Sequence, residues 1–572
     1  MNRTFAILAV GPVAVLLGAC AASKPLTGEA NPAAEQRADA PRAQLTEDVM
    51  LDILVGEIAG QRGRYDIAIA SLGRVARKTR DPRLAERATR AAVYAKDYEQ
   101  ALTQAKLWVE LQPRSLQAQE MIGSILMELD RPAAAQLHFE QVLSIAGTGR
   151  ARDRAYRRLA SILGRPRNRT AAIEIMQTLV AQDADNPSAH LALAQLAVRA
   201  DELDLAAQAA GRALELKPQW EEAALFKVGI LVSQKDAVAA QVFYEEYLTR
   251  QPGSIRVRLN YARYLVDLKR WEKAREQFLL VVQDSPENAD ALYAVGLLSL
   301  QTQRLDEAEQ YLKAALRLRP DNQQARIYLG QVAEERKDYG EAERWYGEVV
   351  SGDRYFDAQV RLGVVIAKRG DLTRAREFLQ AVQYTNDDER VQLVLAEEQV
   401  LREAKQYQEA LGVLSGALEA LPDDKDLLYA RALMGEKLDL IELTERDLRA
   451  ILGQDPDNAQ ALNALGYTLA DRTERYQEAL ELIERALALK PEDPFILDSM
   501  GWVHYRLGNN AEAIRYLNRA LAIRNDAEIA AHLGEVLWVT GDYPQAKSVW
   551  DKALEQTPDN ETLLDVIKKF RP

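Results

Sequence analysis

The feature that most constrains this chain is a spacing of 34 residues that recurs along most of its 572 residues. Seven prolines follow this period, with three periods between the fourth and the fifth and a last spacing of 35 residues: Pro218, Pro252, Pro286, Pro320, Pro422, Pro456 and Pro491. Alanines form a second series in the same phase, interrupted once at Thr444: Ala68, Ala101, Ala135, Ala172, Ala206, Ala240, Ala274, Ala308, Ala342, Ala375, Ala410, Ala479, Ala513 and Ala546. A period of this length is typical of one supersecondary unit, so the chain is predicted to be an array of similar units.

Each unit has the pattern of two amphipathic helices joined by a tight turn. In residues 289–322 apolar side chains recur every three or four positions, the pattern breaks at Gln303, and it then resumes. Gly296 and Ala308 are predicted to be small because the two helices approach closely there, where a large side chain would cost about 1–3 kcal/mol. Equivalent glycines form a third series: Gly56, Gly123, Gly296, Gly330, Gly363, Gly466, Gly501 and Gly534.

The period and the phase of the small residues resemble those of the tetratricopeptide repeat family. The resemblance implies an all-α solenoid, a right-handed superhelix of helix-turn-helix repeats, with about 12–15 units over residues 47–558. Units near 150–187 and 425–456 depart from the pattern, which leaves the count open. Residues 559–572 are predicted to form a single helix that caps the open hydrophobic end, as solenoids require.

The N-terminal segment has the pattern of an export signal followed by a linker. Basic Arg3, an apolar run over 5–17 and two small residues predict a signal peptide over 1–19, and the run is shorter than the roughly 20 residues that cross a membrane. Residues 20–46 contain three prolines and no apolar periodicity, so they are predicted to be a flexible linker.

The only cysteine, Cys20, stands at the junction of these two segments. Residues 17–20 resemble the lipobox of bacterial lipoproteins, which implies that Cys20 is acylated and anchors the chain. An ordinary signal peptide with an incidental cysteine is the alternative. No Asp follows Cys20, and by the same resemblance this implies sorting to the outer membrane, with the protein facing the periplasm.

Composition and motifs favour a binding protein over an enzyme. A formal net charge of −13 gives no general attraction to nucleic acid. The four histidines match no metal-binding motif, and the chain lacks a phosphate-binding glycine loop and a nucleophile elbow. An enzyme of this size is expected to hold a dense group of catalytic residues. We therefore expect a scaffold that uses no metal, no cofactor and no small-molecule substrate.

In the repeat family the first helix of each unit lines the concave face. When the inward-facing positions of that helix are applied to this sequence, they select a basic patch near the N-terminus. The basic patch consists of Arg83, Arg87, Arg90, Arg154, Arg157, Arg158 and Arg165. Because arginine forks bind carboxylates through two-point contacts, the basic patch predicts a docking site for an acidic partner surface. A solvated face that offsets the acidic remainder of the chain is the alternative.

The same positions select an aromatic patch near the C-terminus. The aromatic patch consists of Asn463, Tyr467, Phe495, Asp498, Trp502, Tyr505, Arg506, His532, Glu535 and Trp538. Aromatic side chains offer a large contact area at low entropic cost, and polar neighbours orient a ligand. The aromatic patch therefore predicts binding of an extended peptide or a flexible protein segment. The alternative is that Trp502 and Trp538 fill gaps in the core between repeats.

A lipid-anchored repeat protein without catalytic groups resembles the pseudomonad lipoproteins that serve as adaptors of a periplasmic carboxyl-terminal processing protease. The resemblance implies that the chain binds this protease and its cell-wall hydrolase substrates and promotes their proteolysis. The alternative is a structural outer-membrane scaffold for envelope assembly or secretion, in exopolysaccharide export or pilus biogenesis.

Overall fold

A computed structural model of the chain describes residues 46–165 and 168–570. Within these ranges there are 31 α-helices and no β-strand, so the predicted all-α class is confirmed. The predicted signal peptide, Cys20 and the linker up to residue 45 lie outside the described residues. In the part of the chain that is described, no helix combines the length and the apolar character that crossing a membrane requires.

The described residues divide into two compact units, one up to residue 286 and one from residue 287. The first unit contains α1 (Glu47–Gln61), α2 (Tyr65–Thr79), α3 (Pro82–Tyr94), α4 (Tyr98–Leu111), α5 (Leu116–Glu128), α6 (Pro132–Ala146), α7 (Arg150–Leu163), α8 (Arg169–Ala181), α9 (Pro187–Ala200), α10 (Leu203–Leu216), α11 (Glu221–Ser233), α12 (Ala237–Arg250), α13 (Ile255–Asp267) and α14 (Trp271–Asp284). The second contains α15 (Ala289–Gln301), α16 (Leu305–Leu318), α17 (Gln323–Glu335), α18 (Tyr339–Gly347), α19 (Tyr355–Lys368), α20 (Leu372–Ala381), α21 (Asp387–Glu403), α22 (Tyr407–Ala420), α23 (Lys425–Lys437), α24 (Ile441–Gln454), α25 (Ala459–Arg472), α26 (Tyr476–Leu489), α27 (Pro494–Arg506), α28 (Asn510–Ile523), α29 (Ala527–Val539), α30 (Tyr543–Gln556) and α31 (Glu561–Phe570).

Consecutive helices pack in pairs, from α1 with α2 to α29 with α30, and α31 follows as a single helix. Within the pair α15–α16 the turn closes at Gln303, whose φ of 60° is left-handed, at the point where the apolar pattern breaks. The next pair begins after Pro320, and the side chain of Asn322 caps α17 by accepting the N–H of Ala325 at 3.1 Å. The predicted break at Gln303 and the proline at 320 therefore both lie between helices.

The small-residue series brings the helices of a pair together, although through a different contact from the predicted one. Ala308 is fully buried. A Cβ added to Gly296 would lie 2.7 Å from Cγ of Leu312, which stands four residues after Ala308. At the other glycines of the series the added Cβ also meets the side chain four residues after the alanine. Each glycine therefore makes room for a large side chain one turn beyond the alanine, and not for the alanine itself.

The irregular units coincide only in part with those that the sequence indicates. Helix α7 packs more extensively against α9 than against α8, as an irregular unit near 150–187 predicts. The pair α23–α24 has ordinary helix lengths. Buried Thr444 takes the alanine position there and donates its hydroxyl to the carbonyl of Ala432 at 3.1 Å. Departures in length fall instead on α18, α20 and α21, which have 9, 10 and 17 residues.

Candidate partner-binding site

A cavity of about 710 Å³ lies within the second unit, and we call it the C-terminal cavity. Its lining residues belong to α23, α25, α27 and α29, which are the first helices of four consecutive pairs, to the N-cap of α29, and to α31. The first helices of the repeats therefore face a common space here, and the single last helix supplies one side of it.

The ring of His532 forms part of the wall and is held between an aromatic ring and a carboxylate. It stacks on Trp502 with ring centroids 4.3 Å apart. Nδ1 of His532 lies 3.0 Å from both carboxylate oxygens of Asp498. Burial opposes the protonation of His532, but the field and hydrogen bond of Asp498 outweigh it and raise the pKa of the imidazole above its ordinary value. The arrangement therefore favours an imidazolium–carboxylate pair.

This pair does not have the geometry of a catalytic triad. Nε2 of His532 faces the hydroxyl of Tyr467 at 3.5 Å, and burial raises the pKa of that phenol well above its usual value, so it stays protonated. The hydroxyl of Ser499, which also lines the C-terminal cavity, donates to the carbonyl of Phe495 at 3.0 Å. A nucleophile that hydrogen-bonds to the imidazole is what such a triad requires. No cluster suited to a metal ion occurs in residues 46–165 and 168–570.

A second set of contacts fixes Trp502 and Arg506 across neighbouring repeats. Nε1 of Trp502 donates to the carboxylate of Asp471 at 3.1 Å. The guanidinium of Arg506 donates to the backbone carbonyl of Asp471 and to the hydroxyl of Tyr476, both at 2.9 Å. Because these bonds are internal, the wall is ordered before any partner arrives, which lowers the entropic cost of binding.

The last helix, α31, is held by a side-chain contact at each of its ends, and one of the two is with the C-terminal cavity. Nζ of Lys569 donates to the carboxylate of Glu535 at 3.0 Å, and the hydroxyl of Tyr505 lies 3.5 Å from the same oxygen. At the start of α31, Glu561 accepts a hydrogen bond from Lys405, which lies in the turn between α21 and α22. The final helix therefore forms one side of the C-terminal cavity as well as covering the last repeat.

Sequence comparisons agree with this architecture. A tetratricopeptide repeat model matches residues 157–220, 259–322, 293–354 and 445–494, and a second tetratricopeptide repeat model matches residues 504–567. The TPR repeat-containing protein PA4667 of Pseudomonas aeruginosa is 35% identical over 547 residues, which cover 94% of this chain and 90% of that protein. The chain belongs to the tetratricopeptide repeat family.

Two further relatives of this tetratricopeptide repeat protein have names that state a role. The type IV pilus assembly protein PilF of Pseudomonas aeruginosa is 25% identical over 159 residues, 27% of this chain and 63% of PilF. Cellulose synthase operon protein C of Xanthomonas axonopodis pv. citri is 24% identical over 499 residues, 78% of this chain and 31% of that protein. Repeat solenoids of this kind present extended surfaces for binding other proteins.

The tetratricopeptide repeats bring together eight of the ten residues of the predicted aromatic patch. The residues that line the C-terminal cavity are Tyr467, Phe495, Asp498, Trp502, Tyr505, Arg506, His532 and Glu535. Asn463 is buried outside the lining. Trp538 packs in the last repeat against Trp550, with ring centroids 5.6 Å apart, so the core-filling alternative describes it. Trp502 is only 7% exposed and serves both as packing and as lining.

Eleven lining residues were not predicted from the sequence. They are Glu436, Lys437, Asp471, Arg472, Ser499, Asp526, Glu528, Ile529, Thr562, Val566 and Lys569. Asp471 occupies the place in α25 that Arg506 occupies in α27, so the rule that selected Arg506 also identifies Asp471. Residues of α31 carry no such signal, because this helix has no partner helix and no place in the repeat.

The seven arginines of the basic patch are all exposed. Four of them form ion pairs: Arg83 with Asp81, Arg87 with Glu57, Arg90 with Glu86 and Arg158 with Glu120. Among the described residues, no carboxylate lies within ion-pair distance of Arg154, Arg157 or Arg165. Carboxylates of the chain itself therefore neutralise much of the basic patch, and three of its guanidinium groups have no carboxylate partner among the described residues.

Proposed function

We propose that this tetratricopeptide repeat protein is a non-catalytic adaptor that binds an extended segment of a partner protein in the C-terminal cavity. The observation that carries the proposal is the preordered wall, in which Trp502, Arg506 and His532 are held by contacts within the chain. Rigid aromatic groups with polar neighbours bind polypeptides with little loss of conformational entropy. The cavity has room for more than one side chain of a partner, since its volume of about 710 Å³ exceeds that of a single side chain.

We also propose a location and a task for the adaptor. Acylation of Cys20 would hold it at the outer membrane, facing the periplasm, and tethering raises the effective concentration of bound partners toward the millimolar range. The task that fits such an anchor is to bring a carboxyl-terminal processing protease together with cell-wall hydrolases and so promote their proteolysis. The support for this step is the lipobox-like sequence around Cys20 and the resemblance to repeat lipoproteins of pseudomonads.

A second candidate function is a structural scaffold in envelope assembly or secretion. Two relatives favour it, because one is named as a pilus assembly protein and another as a cellulose synthase operon protein. In this function the C-terminal cavity would hold a component of an export or pilus machine. Both candidates require a bound polypeptide, so they differ in the identity of the partner and not in the site.

The test is co-purification from envelopes of the source bacterium. The double variant Phe495→Ala, Tyr505→Ala removes two partly exposed rings of the C-terminal cavity and leaves the His532–Asp498 pair intact. The matched control is Tyr384→Ala, since Tyr384 is 50% exposed in the same unit and does not line the cavity. We expect the double variant to lose its partners by at least about tenfold, as hot-spot aromatics do, and the control to keep them.

The captured proteins then distinguish the two functions. A processing protease with cell-wall hydrolases supports the adaptor, and a polysaccharide-export or pilus component supports the scaffold. Equal capture by the wild type and the double variant would show that the C-terminal cavity is not the binding site.

A further inference from the structure

The lining of the C-terminal cavity carries an excess of negative charge. Its carboxylates are Glu436, Asp471, Asp498, Asp526, Glu528 and Glu535. Its lysines and arginines are Lys437, Arg472, Arg506 and Lys569. Protonated His532 reduces the excess without removing it. An incoming anion, such as the carboxyl terminus of a partner chain, would add to this excess, whereas an incoming cation would reduce it.

Three of the four lining cations are already held by the chain itself. Lys569 donates to Glu535 at 3.0 Å, and the guanidinium of Arg472 lies 2.9 Å from the carboxylate of Asp471. Arg506 is held by the backbone carbonyl of Asp471. A ligand carboxylate would therefore compete with existing contacts for three of its four possible donors, and only the exposed Lys437 would meet it without such competition.

The carboxylate of Glu436 differs from the other lining carboxylates in its contacts. Within residues 46–165 and 168–570 it has neither a hydrogen bond nor an ion pair. Burial raises the pKa of Glu436 above its ordinary value, against the opposing field of Lys437 and Arg472. A partly buried carboxylate without a hydrogen-bond donor is stabilised by a cation that enters the cavity.

Aromatic faces lie in the same wall. The rings of Trp502 and Tyr505 both line the cavity, with centroids 5.1 Å apart and planes inclined by 48°. One ring of the lining already has a cation over it, since the guanidinium of Arg524 lies 5.1 Å from the centroid of Phe495. Carboxylates together with aromatic faces form the surroundings in which a desolvated cation binds well.

We propose that the C-terminal cavity binds a lysine or arginine side chain of the partner polypeptide, with the cation against the rings of Trp502 and Tyr505 and facing Glu436. The inference rests on the proposed function, because the side chain enters as part of a bound polypeptide. Arginine is favoured over lysine, since its planar guanidinium stacks on aromatic rings and donates to carboxylates in pairs.

The experiment uses blocked pentapeptides of the form acetyl-Gly-Ser-Xaa-Ser-Gly-amide, in which Xaa is arginine, lysine, citrulline or glutamate. The full chain is labelled with 5-fluorotryptophan, and the Trp502 resonance is identified by its absence in Trp502→Phe. Each peptide is titrated to millimolar concentration. We expect the arginine and lysine peptides to shift the Trp502 signal, and citrulline, which is neutral and of similar shape, to bind about tenfold more weakly than arginine.

A matched pair of variants tests whether Glu436 is the counter-ion of the bound side chain. Glu436→Gln is expected to weaken binding of the arginine peptide about tenfold, and Glu481→Gln, which removes the same charge from the exposed face of α26, is expected to leave it unchanged. Equal binding of the arginine and citrulline peptides, stronger binding of the glutamate peptide, or no shift with any peptide would overturn the inference. A chain that still captures protein partners through the cavity but gives any of these results keeps the proposed function and loses only its basic specificity.

Discussion

The glycine series gives the sharpest prediction about the fold, and Gly534→Ala tests it at the tightest contact. A Cβ on Gly534 would lie 1.9 Å from Nε1 of Trp550, about 1.5 Å short of the 3.4 Å at which ordinary contact begins. The indole of Trp550 is fully buried and packs in a cluster with Trp538 and Phe570, at centroid distances of 5.6 and 6.3 Å. Because the indole is fully buried among these rings and has little room to shift, α29 and α30 must move apart.

The expected loss of stability follows from two opposing effects. Overpacking of a well-packed core costs about 1–3 kcal/mol, and a contact this short belongs at the upper end. Replacing glycine by alanine within a helix returns about 1 kcal/mol. The net change in the free energy of unfolding of the last repeat is therefore a loss of about 2 kcal/mol. The same substitution at Gly416, where an added Cβ meets nothing within 4 Å, should stabilise α22 by up to about 1 kcal/mol.

Hydrogen exchange followed by mass spectrometry measures both changes, because it reports the local stability of each helix. We expect amide protection in α30 to fall roughly 30-fold in Gly534→Ala, since 1.4 kcal/mol corresponds to a factor of ten. Protection in α22 should rise about threefold to fivefold in Gly416→Ala. Unchanged protection of α30, or an equal loss in both variants, would refute the explanation of the glycine series.

Three other substitutions test particular contacts. Because the pKa of His532 is raised, its pairing with Asp498 stabilises the fold fully below the ordinary pKa of about 6.5, and this stabilisation is lost as the pH rises through the pKa of the folded state. Asp498→Asn should therefore lower the midpoint of thermal unfolding more near pH 6 than near pH 9. An equal loss at both pH values would contradict the pairing. Arg431→Met leaves the carboxylate of Asp447, 2% exposed, with only the contact to Arg446 at 3.2 Å and should lower the free energy of unfolding in urea by about 2 kcal/mol. A loss below about 0.5 kcal/mol would contradict a stabilising bidentate contact. Cys20→Ser should fold normally and leave the membrane fraction, and a variant that still sediments with the outer membrane would refute the lipid anchor.

Much of the fold could be predicted from the sequence, because every helix pair meets the same packing requirement at the same position. Glycine and alanine recur where two helices approach, so the period identifies the helices without any knowledge of their neighbours. The identity of the contact could not be predicted. A pattern shows that Gly296 must be small, but only the structure shows that Leu312 fills the space beside it.

The site was less predictable, since its contacts join residues far apart in the chain. Aromatic residues at inner positions stand out in a sequence that has few of them, which is why Trp502 and Tyr505 were found. Charged residues such as Glu436 are common on exposed faces, and nothing in the sequence distinguishes one that faces a cavity. The contact between Lys405 and Glu561 spans 156 residues, and its formation depends on how successive repeats stack within the second unit.

The basic patch shows the same limit. Its exposure follows from the repeat, but its ion pairs do not follow from composition. Arg87 reaches Glu57, 30 residues earlier, and Arg158 reaches Glu120, 38 residues earlier, because each points toward the first helix of the preceding repeat. An arginine and a carboxylate that are separated by one repeat period, plus or minus one helical turn, are therefore the sequence signal by which such paired arginines can be recognised.

The most direct test of the central claim is photo-crosslinking in intact cells. Benzoylphenylalanine replaces Tyr505, which lines the C-terminal cavity, or Tyr384, which does not, and mass spectrometry identifies the attached proteins. The account predicts that position 505 gives a small set of defined protein partners and that position 384 does not give them. The same set of proteins from both positions, or no crosslinked protein from position 505, would contradict a binding function in this cavity.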